Sequence, residues 1–244
     1  MKVTNINKKI VLVMKSIIDS DLRLLNLLKG LDYNIYIAPN SHEIMKIASK
    51  FPPIIILLSL NTPESDGLEC LTHIRKDTIL EKVPVIMVSE REDQNKLQGS
   101  LKQGANAYLI KPIGFTSLYR VIQKLTEKNP RENLRARVIF KVDISYNGFK
   151  KICYAANLSE KGVFIRMTKP IPINTKVRLS MHLPVKEPIM LDGIVKNIVE
   201  PDRGLFIEPG ICVHFTNIDS KTQQGIQRFV EELLIYDFDS QVII

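Results

Sequence analysis

The sequence predicts two domains in series: an α/β doubly wound domain with a five-stranded parallel sheet, then an antiparallel six-stranded β-barrel with a C-terminal helix. Three observations carry this. The chain has 244 residues, against roughly 100–150 for a usual domain. As far as Lys128, short apolar runs alternate with amphipathic stretches. After Asn129–Pro130 the period changes to short strands separated by turn residues. The expected domains are therefore 1–128 and 129–244.

In the first half the apolar runs are Ile10–Met14, Tyr33–Ile37, Ile54–Leu58, Val83–Val88 and Ala107–Ile110. Between them lie Ser20–Lys29, Ser41–Phe51, Gly67–Lys76, Arg91–Gln103 and Phe115–Lys128, with Leu24, Leu25, Leu27 and Leu28 at the spacing of a buried helix face. Strands alternating with helices imply right-handed crossovers and a sheet covered on both faces. Any site in such a domain lies beyond the carboxyl ends of the strands, here at Met14–Lys15, Ser59, Ser89 and Lys111. In the second half Val138–Ser145, Lys151–Asn157, Gly162–Met167, Lys176–Leu183, Met190–Glu200 and Leu205–Phe215 read as strands. Asn147–Gly148, Glu160–Gly162 and Pro209–Gly210 read as turns. Ile226, Phe229, Val230, Leu233 and Leu234 fall on one face of a closing helix, which Ile218, Asp219 or Ser220 begins.

Composition excludes several classes. With 45% hydrophobic and 25% charged residues the chain is neither disordered nor collagen-like. The longest apolar stretch, Ile54–Leu58, is far short of a membrane span, and Met1–Lys9 has no signal-peptide core, so a cytoplasmic protein is expected. Cys70, Cys153 and Cys212 form no Cys-x-x-Cys pair, and His42, His73, His182 and His214 lack ligand spacing, so no disulfide, metal or cofactor is expected. The net charge of +8 raises an anionic partner. The excess is spread between the halves, except that Lys128, Arg131, Arg135, Arg137 and Lys141 face only Glu132. An anion is expected there.

The residues from Pro53 to Leu71, with Pro63 and Asp66–Gly67 in their loop, then Pro84–Ser89 and Gly104–Pro112, resemble the receiver domains of response regulators across residues 8–128. Such a domain implies the flavodoxin-like fold and phosphoryl transfer to an aspartate ending the third strand, assisted by Mg²⁺ on two acidic residues ending the first. Those positions read Ser59, Met14 and Lys15. A serine without a neighbouring base is no nucleophile, and neither Met nor Lys holds a hard cation. The domain is therefore expected to be a phosphorylation-incompetent pseudo-receiver, unless Asp66 substitutes. Ser89 and Lys111 match the family's hydroxyl and lysine, and the Lys15 ammonium is expected to stand where the metal would sit. What remains is docking of a protein partner through Arg91–Gln103 and Phe115–Lys128, beside which Tyr108 would lie unless it is edge-of-core packing.

Arg131 and Arg135 make an Arg-x-x-x-Arg segment just before a strand, and Asn157, Ser159 and Gly162 end the next. With Gly210–Phe215 before the closing helix, this resembles the PilZ domain over roughly residues 129–236, which implies cyclic di-GMP as ligand. The chemistry fits: guanine O6 and N7 suit an arginine fork bidentately, and two arginines four apart can wrap one dianion. Asn157 offers an amide to a guanine edge and Ser159 a hydroxyl to phosphate or base, although both also suit a local turn. Gly162 is expected to supply a positive φ. Arg137, one residue past the motif, either covers a second stacked ligand or faces solvent, and Leu134 is expected to seat the arm.

The resemblances together imply a non-enzymatic bacterial sensor, controlling motility, pili, biofilm or virulence, in which ligand orders a mobile segment Glu127–Arg137 and reorients the pseudo-receiver. Protein partners, among them a second copy of the chain, would read the change. The alternatives are a ligand-independent adaptor of the same fold or a DNA-binding regulator, the latter disfavoured because the basic excess is diffuse and no helix-turn-helix is legible. No nucleophile–base pair or Gly-rich phosphate loop supports an enzyme.

Overall fold

A computed structural model describes residues 9–62, 65–184, 187–201 and 208–236. Contacts divide the chain into two compact units, Met1–Glu132 with Leu234–Asp237, and Asn133–Leu233 with Phe238–Ile244.

The first unit runs β1 (Ile10–Met14), α1 (Lys15–Ser20), α2 (Arg23–Gly30), β2 (Asn34–Ala38), α3 (Ser41–Lys50) and β3 (Ile55–Ser59). A two-residue pair follows, β4 (Asn61–Thr62) and β5 (Ser65–Asp66), then α4 (Gly67–Lys76), β6 (Val85–Ser89), α5 (Gln94–Lys102), β7 (Ala107–Ile110) and α6 (Phe115–Thr126). The five long strands are parallel in the order β2-β1-β3-β6-β7. Helices cover both faces of the middle of the sheet, so every residue of β3 and β6 is buried, while the edge strands β2 and β7 are largely half-buried. The helix expected over Ser20–Lys29 is α2, which begins at Arg23, and a separate unexpected α1 precedes it. Asp21 is extended (φ −158°, ψ 97°), and its carboxylate accepts the Arg23 amide at 3.1 Å, which ends α1 and restarts the chain as α2.

The second unit runs β8 (Ala136–Tyr146), β9 (Phe149–Ser159), β10 (Gly162–Arg166), β11 (Lys176–Met181), β12 (Ile189–Val199), β13 (Gly210–Thr216) and α7 (Ser220–Ile235). Its six strands close an antiparallel barrel in the order β10-β13-β12-β11-β8-β9. Strand alternation supplies the core: Ala136, Val138, Phe140, Val142 and Ile144 of β8 point inward with Val163, Ile165, Ile211 and Val213. The start expected for the last strand at Leu205 lies outside the described residues. Asp219 caps α7 by accepting the Thr222 amide at 2.9 Å, and Ile226, Val230 and Leu234 are buried as the spacing predicts.

One side chain holds the loops at one end of the parallel sheet. The Arg75 guanidinium donates to the carbonyls of Gly104 (2.8 Å), Glu81 and Val83 (3.0 Å each) and to Asn106 Oδ1 (2.9 Å), which also accepts the Val85 amide at 2.8 Å. Burial pulls its pKa below the usual arginine value, although nothing near neutral pH could deprotonate it. Arg75→Leu, which orphans these acceptors, is expected to lower stability by about 2–3 kcal/mol, and Arg75→Lys to recover less than half, because an ammonium cannot span the fork. Urea unfolding followed by circular dichroism measures both; a fully stable Arg75→Leu would refute the assignment.

Candidate functional site

The PilZ-like residues meet on the outer face of the barrel. Alternation in β9 breaks where Ala155 and Ala156 are both buried, and from there Leu158 points inward while Asn157 and Ser159 turn outward and stay half-buried. Register slips occur at this level between β8 and β9, β9 and β10, and β12 and β13. The resulting row pairs Arg137 with Asn157, Asn157 with Phe164, Phe164 with Cys212 and Cys212 with Asn197. Beside it a second row pairs Ser159 with Gly162 and Gly162 with His214. Arg135 lies close enough to pull the Cys212 thiol toward ionisation, against burial, which dominates and pushes that thiol up. The barrel therefore brings Arg135, Arg137, Asn157, Ser159 and Gly162 onto one face. Phe164, Cys212 and His214 share it; the last two lie in the Gly210–Phe215 run, but their place on this face was not read from the sequence, where inward Val163 and Val213 were the alternation signal for it.

Gly162 differs from expectation. Its φ is not positive. It is glycine because a Cβ there would lie 2.5 Å from the Val213 carbonyl oxygen of the adjacent strand. The missing side chain lets the Val213–His214 backbone pack directly against β10, between Ser159 and His214 in the ladder. Ser159 closes the hairpin turn, its hydroxyl donating to the Gly162 carbonyl at 3.1 Å.

Two hydrogen bonds tie the arm to α6. The Arg131 amide donates to Gln123 Oε1 of α6 at 3.1 Å, and the Glu132 carbonyl accepts from Arg120 Nε at 2.7 Å. Leu134 is buried. The Arg131, Arg135 and Arg137 side chains are exposed.

At the strand ends of the parallel sheet, Met14 is fully buried and Ser59 nearly so, at 3% exposed. The Lys15 ammonium reaches along α1 to Asp19 Oδ2 at 2.8 Å, a helical i, i+4 pair, and is exposed. A thioether, a hydroxyl and an ammonium engaged elsewhere do not suit Mg²⁺, which seeks carboxylate oxygens. Among the described residues no three His, Cys, Asp or Glu side chains cluster as a metal site; the Asp66 side chain lies outside them. Ser89 is buried and donates to Asp93 Oδ2 at 3.0 Å, and Lys111 Nζ pairs with Glu90 Oε1 at 3.3 Å. Tyr108 is half-buried on β7.

A doubly wound parallel sheet followed by a closed antiparallel barrel bearing an arginine arm defines the class of the chain by fold: an α/β domain in series with a six-stranded β-barrel. The families are specific. Residues 18–123 match the response regulator receiver domain and residues 128–232 the PilZ domain, so the chain carries a receiver domain followed by a PilZ domain. Among curated relatives, the transcriptional regulatory protein KdpE of Staphylococcus aureus is 31% identical over 105 residues, 42% of this chain and 44% of that protein. The response regulator Rcp1 of Synechocystis is 31% identical over 71 residues, 29% of this chain and 48% of that protein. The matched stretch is thus less than half the length of either. Of solved structures, Vibrio cholerae chemotaxis protein CheY4 is 22% identical with a TM-score of 0.45, covering 48% of this chain and 98% of that one. The Bacillus subtilis inhibitor of motility (MotI/DgrA) is 17% identical with a TM-score of 0.37, covering 42% and 49%.

Gly162→Ala tests the packing argument directly. Because the opposing atom is backbone, the hairpin must shift, and a loss of about 1–3 kcal/mol is expected by analogy with overpacked cores. Thermal unfolding measures it, and a neutral substitution would show that the close approach to Val213 does not constrain this position.

Proposed function

We propose that the chain is a cyclic di-GMP-responsive signalling protein whose PilZ domain binds the dinucleotide through Arg131, Arg135, Asn157, Ser159 and Gly162, with Arg137 available to a second stacked ligand. The observation that carries this is the paired row of Arg137 and Asn157 on the outer face of the barrel, with Arg135 near Cys212 in the same row. Guanidinium forks meet guanine edges or phosphates, and the Asn157 amide donates and accepts. Because the Arg131 amide is held by Gln123 of α6, drawing the Arg131 side chain onto a ligand acts on a residue bonded to the receiver domain. Ligand would thus alter what that domain presents to a protein partner, and by resemblance the output is control of motility or biofilm.

The receiver domain is proposed to be phosphorylation-incompetent and to serve docking. Support comes from Ser59 in place of the acceptor carboxylate, and from a donor set unsuited to Mg²⁺. A ligand-independent adaptor is the second reading, favoured by the Ser159 hydroxyl being occupied in its own turn.

Calorimetric titration of the whole chain with cyclic di-GMP separates the two readings. Binding is expected, with Arg131→Ala and Arg135→Ala each weakening it by roughly tenfold to a hundredfold, the worth of a charge-assisted pair. A stoichiometry of two that falls to one in Arg137→Ala would assign the stacked ligand; absence of heat would leave the adaptor. For the receiver domain, incubation with acetyl phosphate and Mg²⁺ is expected to give no phosphoryl mass increment in intact-mass spectra, and a stoichiometric increment would overturn that assignment.

A further inference from the structure

The end of the β8–β9 hairpin projects past the barrel. On one side β11 meets β8 only from Val142 to Ser145, and on the other β10 meets β9 only as far as Tyr154. Beyond those limits Phe149–Cys153 of β9 pair with β8 alone, ending with Tyr146 against Phe149 around an Asn147–Gly148 turn at φ 45° and 80°. Consequently Phe149, Lys150, Lys151 and Ile152 are all exposed, on both faces of the strand rather than alternately. Phe149 is 67% and Ile152 61% exposed, and Tyr154 and Ile139 continue the apolar surface along the outside of the hairpin. The Tyr146 and Phe149 rings pack together with centroids 5.9 Å apart. Neither Lys150 nor Lys151 has an ion-pair partner among the described residues.

We propose that this hairpin tip docks the protein on an anionic lipid surface. An apolar and aromatic tip between two unpaired lysines matches the headgroup boundary: rings sit at the interface, aliphatic groups reach the acyl edge, and ammonium groups meet lipid phosphates. The charge pattern favours an anionic bilayer, since two lysines without ion-pair partners among the described residues lie beside the aromatic tip and a headgroup layer can meet both exposed faces of the strand. A second copy of the chain is disfavoured, since each copy carries a net charge of +8 and would bring the same lysines to the contact. The attachment is interfacial and reversible, as no helix among the described residues is long and apolar enough to cross a membrane. The lysines recognise anionic lipid, and the tip residues supply depth.

The chain has no tryptophan, so Phe149→Trp creates a single optical reporter at the tip. The full-length chain, without nucleotide so that the outcome is independent of ligand binding, is mixed with vesicles of phosphatidylcholine alone or with phosphatidylglycerol. Partition into anionic vesicles only, a blue shift of the Phe149→Trp emission and its quenching by brominated lipid are expected. Lys150→Gln with Lys151→Gln should weaken partition about 30-fold, at roughly fivefold for each lysine near the surface. The charge-matched pair Lys29→Gln with Lys50→Gln should leave it nearly unchanged. No partition at low salt, an unshifted emission from bound protein, or equal losses in the two lysine pairs would each overturn the proposal. The last would leave only the diffuse net charge as the cause. Unchanged circular dichroism of every variant excludes misfolding.

Discussion

The register of β9 is the constraint on which the candidate site depends. A strand with strict alternation from buried Cys153 and Ala155 would bury Asn157 and Ser159 and expose Leu158. One irregular step at Ala156 reverses this. Because side-chain direction has a period of two, a single residue out of phase exchanges the two faces for the rest of the strand. The neighbouring strands keep step, with slips at the same level against β8 and β10 and again between β12 and β13. The break therefore runs across the barrel as a crease rather than as a local defect. It costs ladder hydrogen bonds, and in exchange it turns polar groups from several strands toward solvent in one row.

The crease also explains which atoms must be small. Alanine at 155 and 156 lets two successive residues point inward without overfilling the barrel, and glycine at 162 lets β10 approach the Val213 carbonyl. The close approach at Gly162 draws β10 and β13 together beside Ser159 and His214, the next pairs in the ladder. The arm answers to a different constraint. Arg131 is held through its backbone, leaving its guanidinium exposed, while buried Leu134 and the β8 pairing that begins at Ala136 fix the chain ahead of Arg137. Charge is thus presented from a tethered backbone, which reduces the ordering entropy that a ligand must offset.

The sequence showed the two halves, most element positions and the motif residues, because these rest on hydrophobic period and on residue chemistry. It did not show the fate of Gly162, since a glycine required by a close approach and one required by positive φ look alike until the neighbouring strand is in place. The phase change at Ala156 was likewise illegible: Ala155–Ala156 is an apolar pair compatible with either face. The break between α1 and α2 turns on Asp21 competing for the Arg23 amide, a local bond that the leucine spacing of the following helix obscured. The partner of Lys15 was hidden for a related reason. The lysine's position at the end of β1 was clear, but its nearest acid, Asp19, becomes a neighbour only once α1 forms.

Position alone does not make Ser89 and Lys111 part of a phosphoryl switch, because their surroundings already satisfy them. Lys111 has a side chain only 17% exposed, and an ammonium withdrawn from water needs a counter-charge. In a receiver domain that accepts a phosphoryl group, the acceptor carboxylate ending the third strand supplies one, and here Ser59 does not. Glu90, one residue beyond β6, takes that part from the solvent side, and Asp93 accepts from Ser89 in the same turn. Such pairs are weak individually, about 0.2–1 kcal/mol where one partner is exposed. Their effect is on conformation more than stability: both groups that would turn toward a phosphoryl oxygen are held by acids following β6. The polar groups at the carboxyl end of the sheet thus each meet an acid following β6, an arrangement that accords with the docking role proposed for this domain.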